Sequence, residues 1–228
     1  MNRNHTPAPR PRRFVNLELL LALVIIAILA ASIYGYIRRQ PSAIMPRQIA
    51  TQTKNIHAWL MAYAEEHGGE LPHGATSNEA YRQLFKGSLG ADEKQFLIPS
   101  DAWHGGREPD GDVGSAPEMS GALEPGECAF AYVSGLNTRD TARIPLIANA
   151  FTSTPGVWCD DPGKPGGVFA GRCGIVCRLG GSASVTELKE GEWTVTEEYE
   201  GRRVNIFTPG FEEKSFTVLN PAEPPAPR

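Results

Sequence analysis

The chain has 228 residues, with 22 Lys and Arg against 26 Asp and Glu and a formal net charge of −4. Charge this mild and well mixed leaves the soluble part no basic footprint and excludes nucleic acid as a partner. The abundance of turn formers, 24 Gly and 19 Pro, together with few long apolar periodic segments, points to strands joined by irregular loops.

Residues 1–13 form a basic leader: Arg3, Arg10, Arg12 and Arg13 stand there without an acid, which favours a cytoplasmic N-terminus. Residues 14–37 follow as a predicted transmembrane helix. From Leu19 to Ile37 no side chain is charged, a run of roughly 28 Å at ~1.5 Å per residue, close to the hydrocarbon thickness of a bilayer. Glu18 lies just inside the run, and a carboxylate in lipid is paired or functional as a rule. A cleaved secretory signal would need a shorter apolar core ending in small residues. Ala30-Ala31-Ser32 could serve, but the apolar stretch continues past it. Arg12-Arg13 alone does not make a twin-arginine signal.

Residues 38–46 form a break, because Pro41 and Pro46 interrupt what would otherwise be one long helix. A second helix is expected from about Pro46 to His67. Ile49, Ile56, Leu60 and Tyr63 fall on one stripe, as a core-facing amphipathic helix requires. Gly68-Gly69 and Pro72 mark its end. The domain is taken as residues 47–219, with a short helix at Glu79–Phe85 that turns Tyr81, Leu84 and Phe85 inward. Strands are expected at Cys128–Val133, Ile144–Ala148, Cys173–Leu179, Ser182–Leu188 and Arg203–Phe207, with Gly180-Gly181 as a two-residue hairpin turn. Residues 220–228 carry four prolines and read as a disordered tail.

Phe14, then Glu18, then an Ile/Leu/Ala-rich helix resembles the N-terminus of type IV pilins and of the pseudopilins of type II secretion systems. The stretch Asn55-Ile56-His57-Ala58-Trp59-Leu60-Met61-Ala62-Tyr63-Ala64, with Gly68-Gly69 and Leu71-Pro72, is similar to the end of the long pseudopilin helix. The resemblance implies an α+β, pilin-like fold: an N-terminal transmembrane helix, kinked into an amphipathic helix packed on a small antiparallel sheet. It also implies a structural, protein-transport role beside other pilin-like or secretion-machine subunits, on the bacterial inner membrane. In that family a Gly precedes the Phe at the peptidase site, and the Glu meets the freed amino group of a neighbouring subunit during assembly. Here Arg13 stands in place of the Gly. The leader is therefore expected to stay joined to Phe14, with Glu18 paired to Arg12 or Arg13. The alternative is a stand-alone membrane-tethered periplasmic binding module on a pilin-like scaffold, outside any filament. Secretion-type relatives often carry a Cys-Pro-Ser-Asp stretch, and in this chain Ile98 replaces its Cys before Pro99-Ser100-Asp101.

The chemistry-bearing residues are few. Cys128, Cys159, Cys173 and Cys177 all lie beyond the apolar run, as expected for an oxidising, periplasmic compartment. Cys173 and Cys177 lie too far apart on one strand to bond each other. Two pairings remain: Cys128–Cys177 with Cys159–Cys173, or Cys128–Cys173 with Cys159–Cys177. The first is preferred because it staples a Gly/Pro-rich loop. Asp110 and Asp112, with Asp101, Glu108 and Asp160-Asp161, offer oxygen ligands for calcium but fit no EF-hand, so no cofactor is expected beyond that candidate. No Ser-His-Asp order, HExxH or Walker sequence appears, and the chain is not expected to be an enzyme.

Overall fold

The computed structural model describes residues 21, 22, 24–29, 44–86, 89–105 and 107–224. They fall in two units, one within residues 1–42 and one within residues 43–228. In the first unit the described residues are helical, and Leu21, Val24, Ile25, Ile26, Ile28 and Leu29 are exposed. No helix among the described residues is long and apolar enough to cross a membrane. The leader, Glu18, much of the expected span at 14–37 and most of the break at 38–46 lie outside the described residues.

The second unit is a mixed α+β domain. Helix α1 runs over Ile44–Glu66, with Pro46 in its first turn, where a missing amide proton costs nothing. It buries Ile49, Thr53, Ile56, Leu60 and Ala64, a stripe spaced three and four residues apart. Tyr63 was expected on this stripe but is only half-buried; its hydroxyl donates to Gln83 Oε1 at 2.8 Å and its ring stacks on His67. The end is a glycine cap: Gly68 takes φ +67°, and the Gly69 amide returns to the Ala64 carbonyl at 2.8 Å. Helix α2, Ser77–Arg82, continues as a 3-10 turn to Phe85 and buries Tyr81, Leu84 and Phe85. Thr76 caps it, its side chain accepting from the Glu79 amide.

Seven strands follow: β1 Phe130–Ser134, β2 Pro145–Asn149, β3 Cys173–Arg178, β4 Ala183–Glu187, β5 Thr196–Tyr199, β6 Arg202–Asn205 and β7 Thr217–Leu219. Five form one antiparallel sheet in the order β4-β3-β2-β1-β7, and β5 and β6 pair separately. The register aligns Leu219, Tyr132, Ile147, Cys177 and Ala183 in one row across the sheet. α1 packs on β2, β3 and β4, on the face that carries Cys177. The opposite face receives the segment after β2, whose Trp158 ring lies against Gly174 and packs with Phe151 and Phe207. Covered on both faces, β1 and β2 are buried at every position, which is why they read as continuous apolar runs.

Three sequence expectations are corrected here. The β3–β4 turn has three residues, not two: Arg178 N donates to Ser182 O at 2.9 Å and Gly181 N to Arg178 O at 2.8 Å. Only Gly181 takes positive φ, +81°, as an αL residue at a bulged hairpin does. β5 and β7 were not foreseen, the first being polar and acidic and the second only three residues long. The tail is ordered as far as Pro224: Asn220 O accepts from Ser77 N at 3.0 Å and Ala222 N donates to Asn78 Oδ1 at 2.8 Å. Asn220 also accepts from Phe151 N and donates to Thr152 O. Residues 225–228 lie outside the described residues.

Candidate functional site

Of the residues singled out from sequence, Arg13, Phe14 and Glu18 lie outside the described residues. The four cysteines are all free thiols. Cys128 is buried just before β1, with its sulfur donating to Phe130 O at 3.5 Å and lying 3.8 Å from Ser77 Oγ. Cys173 and Cys177 belong to β3. Both expected pairings gave Cys128 a partner on β3, yet β2 lies between β1 and β3. Two inter-strand spacings come to about 10 Å, beyond the ~7 Å that a bridge can span. Neither pairing is formed. Cys159 points instead into its own loop, towards the carbonyls of Pro165 and Asp161. Burial pushes the Cys128 thiol up to about 12 and the Cys177 thiol up to about 11. Both stay protonated at neutral pH and are poor nucleophiles.

The acidic loop is held from within. Asp110 Oδ1 accepts from Asp112 N at 2.8 Å, and Asp112 Oδ1 from Gly114 N at 3.0 Å, so each carboxylate closes its own turn. Glu93 is buried beneath them, its two oxygens accepting from Gly111 N at 3.0 Å and Leu123 N at 2.9 Å. Glu127 accepts from Glu124 N at 2.7 Å. Burial raises its pKa first, the Glu93 and Asp110 charges add to that, and the Glu124 amide and Arg107 oppose it. Asn78 closes the loop from α2 by donating to the carbonyls of Leu123 and Glu124. Asp161 accepts from Gly163 N at 3.0 Å and pairs with Lys164 at 3.3 Å. Among the described residues no three His, Cys, Asp or Glu side chains gather in a way that could hold a metal ion. Asp110 and Asp112, the residues named for calcium, each give one oxygen to a backbone N–H.

Asp101 is the most perturbed carboxyl. It caps the 3-10 turn Ala102–His104, accepting from Trp103 N at 3.0 Å, while its Oδ2 is buried with no partner. Burial lifts its pKa to about 7 against the lowering pull of the Trp103 amide. His57 on α1 and His67 just past its end serve the scaffold: His57 Nε2 lies 2.8 Å from Leu179 O and His67 Nδ1 2.7 Å from Tyr63 O. No nucleophile and base meet among the described residues in these contacts.

Two open concavities lie elsewhere on the domain. One, of about 440 Å³, is bordered by Arg172, Glu187, Trp193 and Asp160, the last a residue the sequence offered as an oxygen ligand. The other is a mostly apolar groove of about 390 Å³ bordered by Pro155, Phe207, Pro209, Phe216, Thr217 and Val218. Thr217 and Val218 are successive residues of a strand, so their side chains point to opposite faces; a groove touching both follows the edge of β7. Sequence reasoning missed it because its walls come from the β2–β3 connection, the β6–β7 connection and a strand too short to recognise. Compared with family models, curated proteins and solved structures, the chain matches none.

Proposed function

We propose that the chain is a pilin-like subunit that works beside a type II secretion or type IV pilus-like machine. In this reading a single N-terminal anchor sits in the bacterial inner membrane, with the N-terminus cytoplasmic and the domain periplasmic. The observation that carries it is the order of parts. An apolar run headed by Phe14 and Glu18 is followed by an amphipathic helix, α1, which packs on the β2–β4 part of a five-stranded antiparallel sheet. The role is structural and non-catalytic, and it needs no cofactor. Of the four free cysteines Cys128 and Cys177 are buried, whereas Cys159 and Cys173 are half-buried and are the two that an oxidising compartment would reach.

The test is photo-crosslinking from positions within Leu19–Ile37 of the full chain in its own membrane, with captured partners identified by mass spectrometry. Other pilin-like subunits are the expected partners. An inserted chain that captures none favours the stand-alone tethered module, the reading for which Arg13 in place of Gly is the specific support.

A further inference from the structure

We propose that residues 220–224 are a pH-released strap, docked while the Asp101 carboxyl is protonated and let go when it ionises. The strap is fastened through two of its residues. Asn220 O accepts from Ser77 N at 3.0 Å, its side chain accepts from Phe151 N and donates to Thr152 O, and Ala222 N donates to Asn78 Oδ1 at 2.8 Å. These partners ring the 3-10 turn that Asp101 caps. Pro224 stands where a side chain on Gly105, the residue ending that turn, would go. Trp103 Nε1 donates at 2.8 Å to the carbonyl of Phe151, whose amide Asn220 holds. From the segment entering β1, Cys128 feels the Asp101 charge and places its sulfur 3.8 Å from Ser77 Oγ. Ser77 is the residue whose amide binds the strap.

The geometry lets ionisation drive release. Asp101 is 4 % exposed; Oδ1 accepts from Trp103 N, and Oδ2 is buried with no partner. A negative charge there has neither water nor a donor on that oxygen. Burial raises the pKa to about 7 against the pull of the Trp103 amide, and no charged group among the described residues offsets it. The titratable group that faces it is Cys128, uncharged at neutral pH; His104 on the same turn is half-buried and Glu223 on the strap is exposed. Ser100, just before the cap, is held at φ +69°, a left-handed conformation that costs a non-glycine residue free energy. Letting go of a chain end held at two residues brings water to Oδ2 without breaking a strand pair. A carboxyl whose pKa is raised in the docked state favours docking at low pH. With a pKa near 4 once hydrated, the released fraction grows about tenfold per pH unit between about pH 4 and 7 and levels off above that. Release uncovers Ser77 and Cys128. The device is independent of the anchored reading.

The experiment uses the full chain in detergent and a pyridyl disulfide, which reacts with thiols in acid as well as at neutral pH. Rates at each cysteine are read by peptide mass and divided by those of the urea-unfolded chain at the same pH. Cys177, buried on β3, reports opening of the whole domain. The Cys128 ratio should climb about tenfold per pH unit between about pH 4 and 7 and outrun that of Cys177, and Asp101→Asn should abolish the climb. Asn220→Ala should raise the Cys128 ratio at pH 5 more than that of Cys177. A Cys128 ratio that is flat with pH overturns the proposal, as does one that tracks Cys177 at every pH or a climb that survives in Asp101→Asn. If Asp101→Asn does not fold, Asn220→Ala decides: equal increases at Cys128 and Cys177 mean that the segment does not open by itself, and the proposal falls.

Discussion

Asn220 fastens the C-terminal segment, and replacing it with Ala measures how firmly that segment is docked. Its side chain accepts from the Phe151 amide at 3.2 Å and donates to the Thr152 carbonyl at 2.7 Å. Phe151 is fully buried, so the truncation strands an N–H that water does not reach, at about 1–3 kcal/mol. The Thr152 carbonyl is nearer solvent and adds about 0.5–1.5 kcal/mol. Asn220→Ala should therefore cost about 2–4 kcal/mol, a large part of the 5–15 kcal/mol typical of a domain. In a domain of this size that lowers Tm by very roughly 5–15 °C. The assay is a urea or thermal melt of residues 43–228, which carry their own core and should fold alone. A variant within ~0.5 kcal/mol of the parent would refute the docking and restore the disordered tail.

Three further outcomes follow from the same packing. Leu60, fully buried in α1 over the sheet, should cost about 2–5 kcal/mol as Leu60→Ala, read from the urea midpoint at unchanged m. Asp101 has a folded pKa raised to about 7, so the folded state holds a proton that the unfolded state releases near pH 4. Its contribution is full below about pH 4 and is lost as pH rises to about 7, by at most about 4 kcal/mol. Asp101→Asn should flatten that fall, and parallel stability profiles of the two proteins between pH 4 and 8 would refute it. Denatured, unreduced protein should titrate as four thiols, given that all four cysteines are free; a count of two would mean that one bridge forms.

Local signals carried much of the fold. α1 was legible because its stripe and its Gly68-Gly69 stop act within one element, and the buried strands were legible as apolar runs bounded by turn residues. The failures share a physical cause. β7 has three residues and owes its strand state to pairing with β1, which no window of sequence contains. The tail is prolines and small residues, yet Ser77, Asn78, Phe151 and Thr152 supply its partners from far away in the chain. The cysteine pairings failed because a spacing argument cannot see that β2 lies between β1 and β3. Asp110 and Asp112 read as oxygen ligands in the sequence, and the fold adds that one oxygen of each closes a turn above the buried Glu93. Asp101 stood in a recognisable Pro-Ser-Asp stretch, but its burial depends on the fold around it.

The proposed anchored chain with its leader retained is tested most directly by the intact mass of the full chain extracted from its own membrane. The peptide bond between Arg13 and Phe14 is expected to survive, because the pilin-processing site has Gly where this chain carries a long charged side chain. The expected mass still includes Arg13 and Phe14. A chain beginning at Phe14 would contradict retention and make a filament subunit, and one beginning beyond Ser32 would contradict the anchor itself.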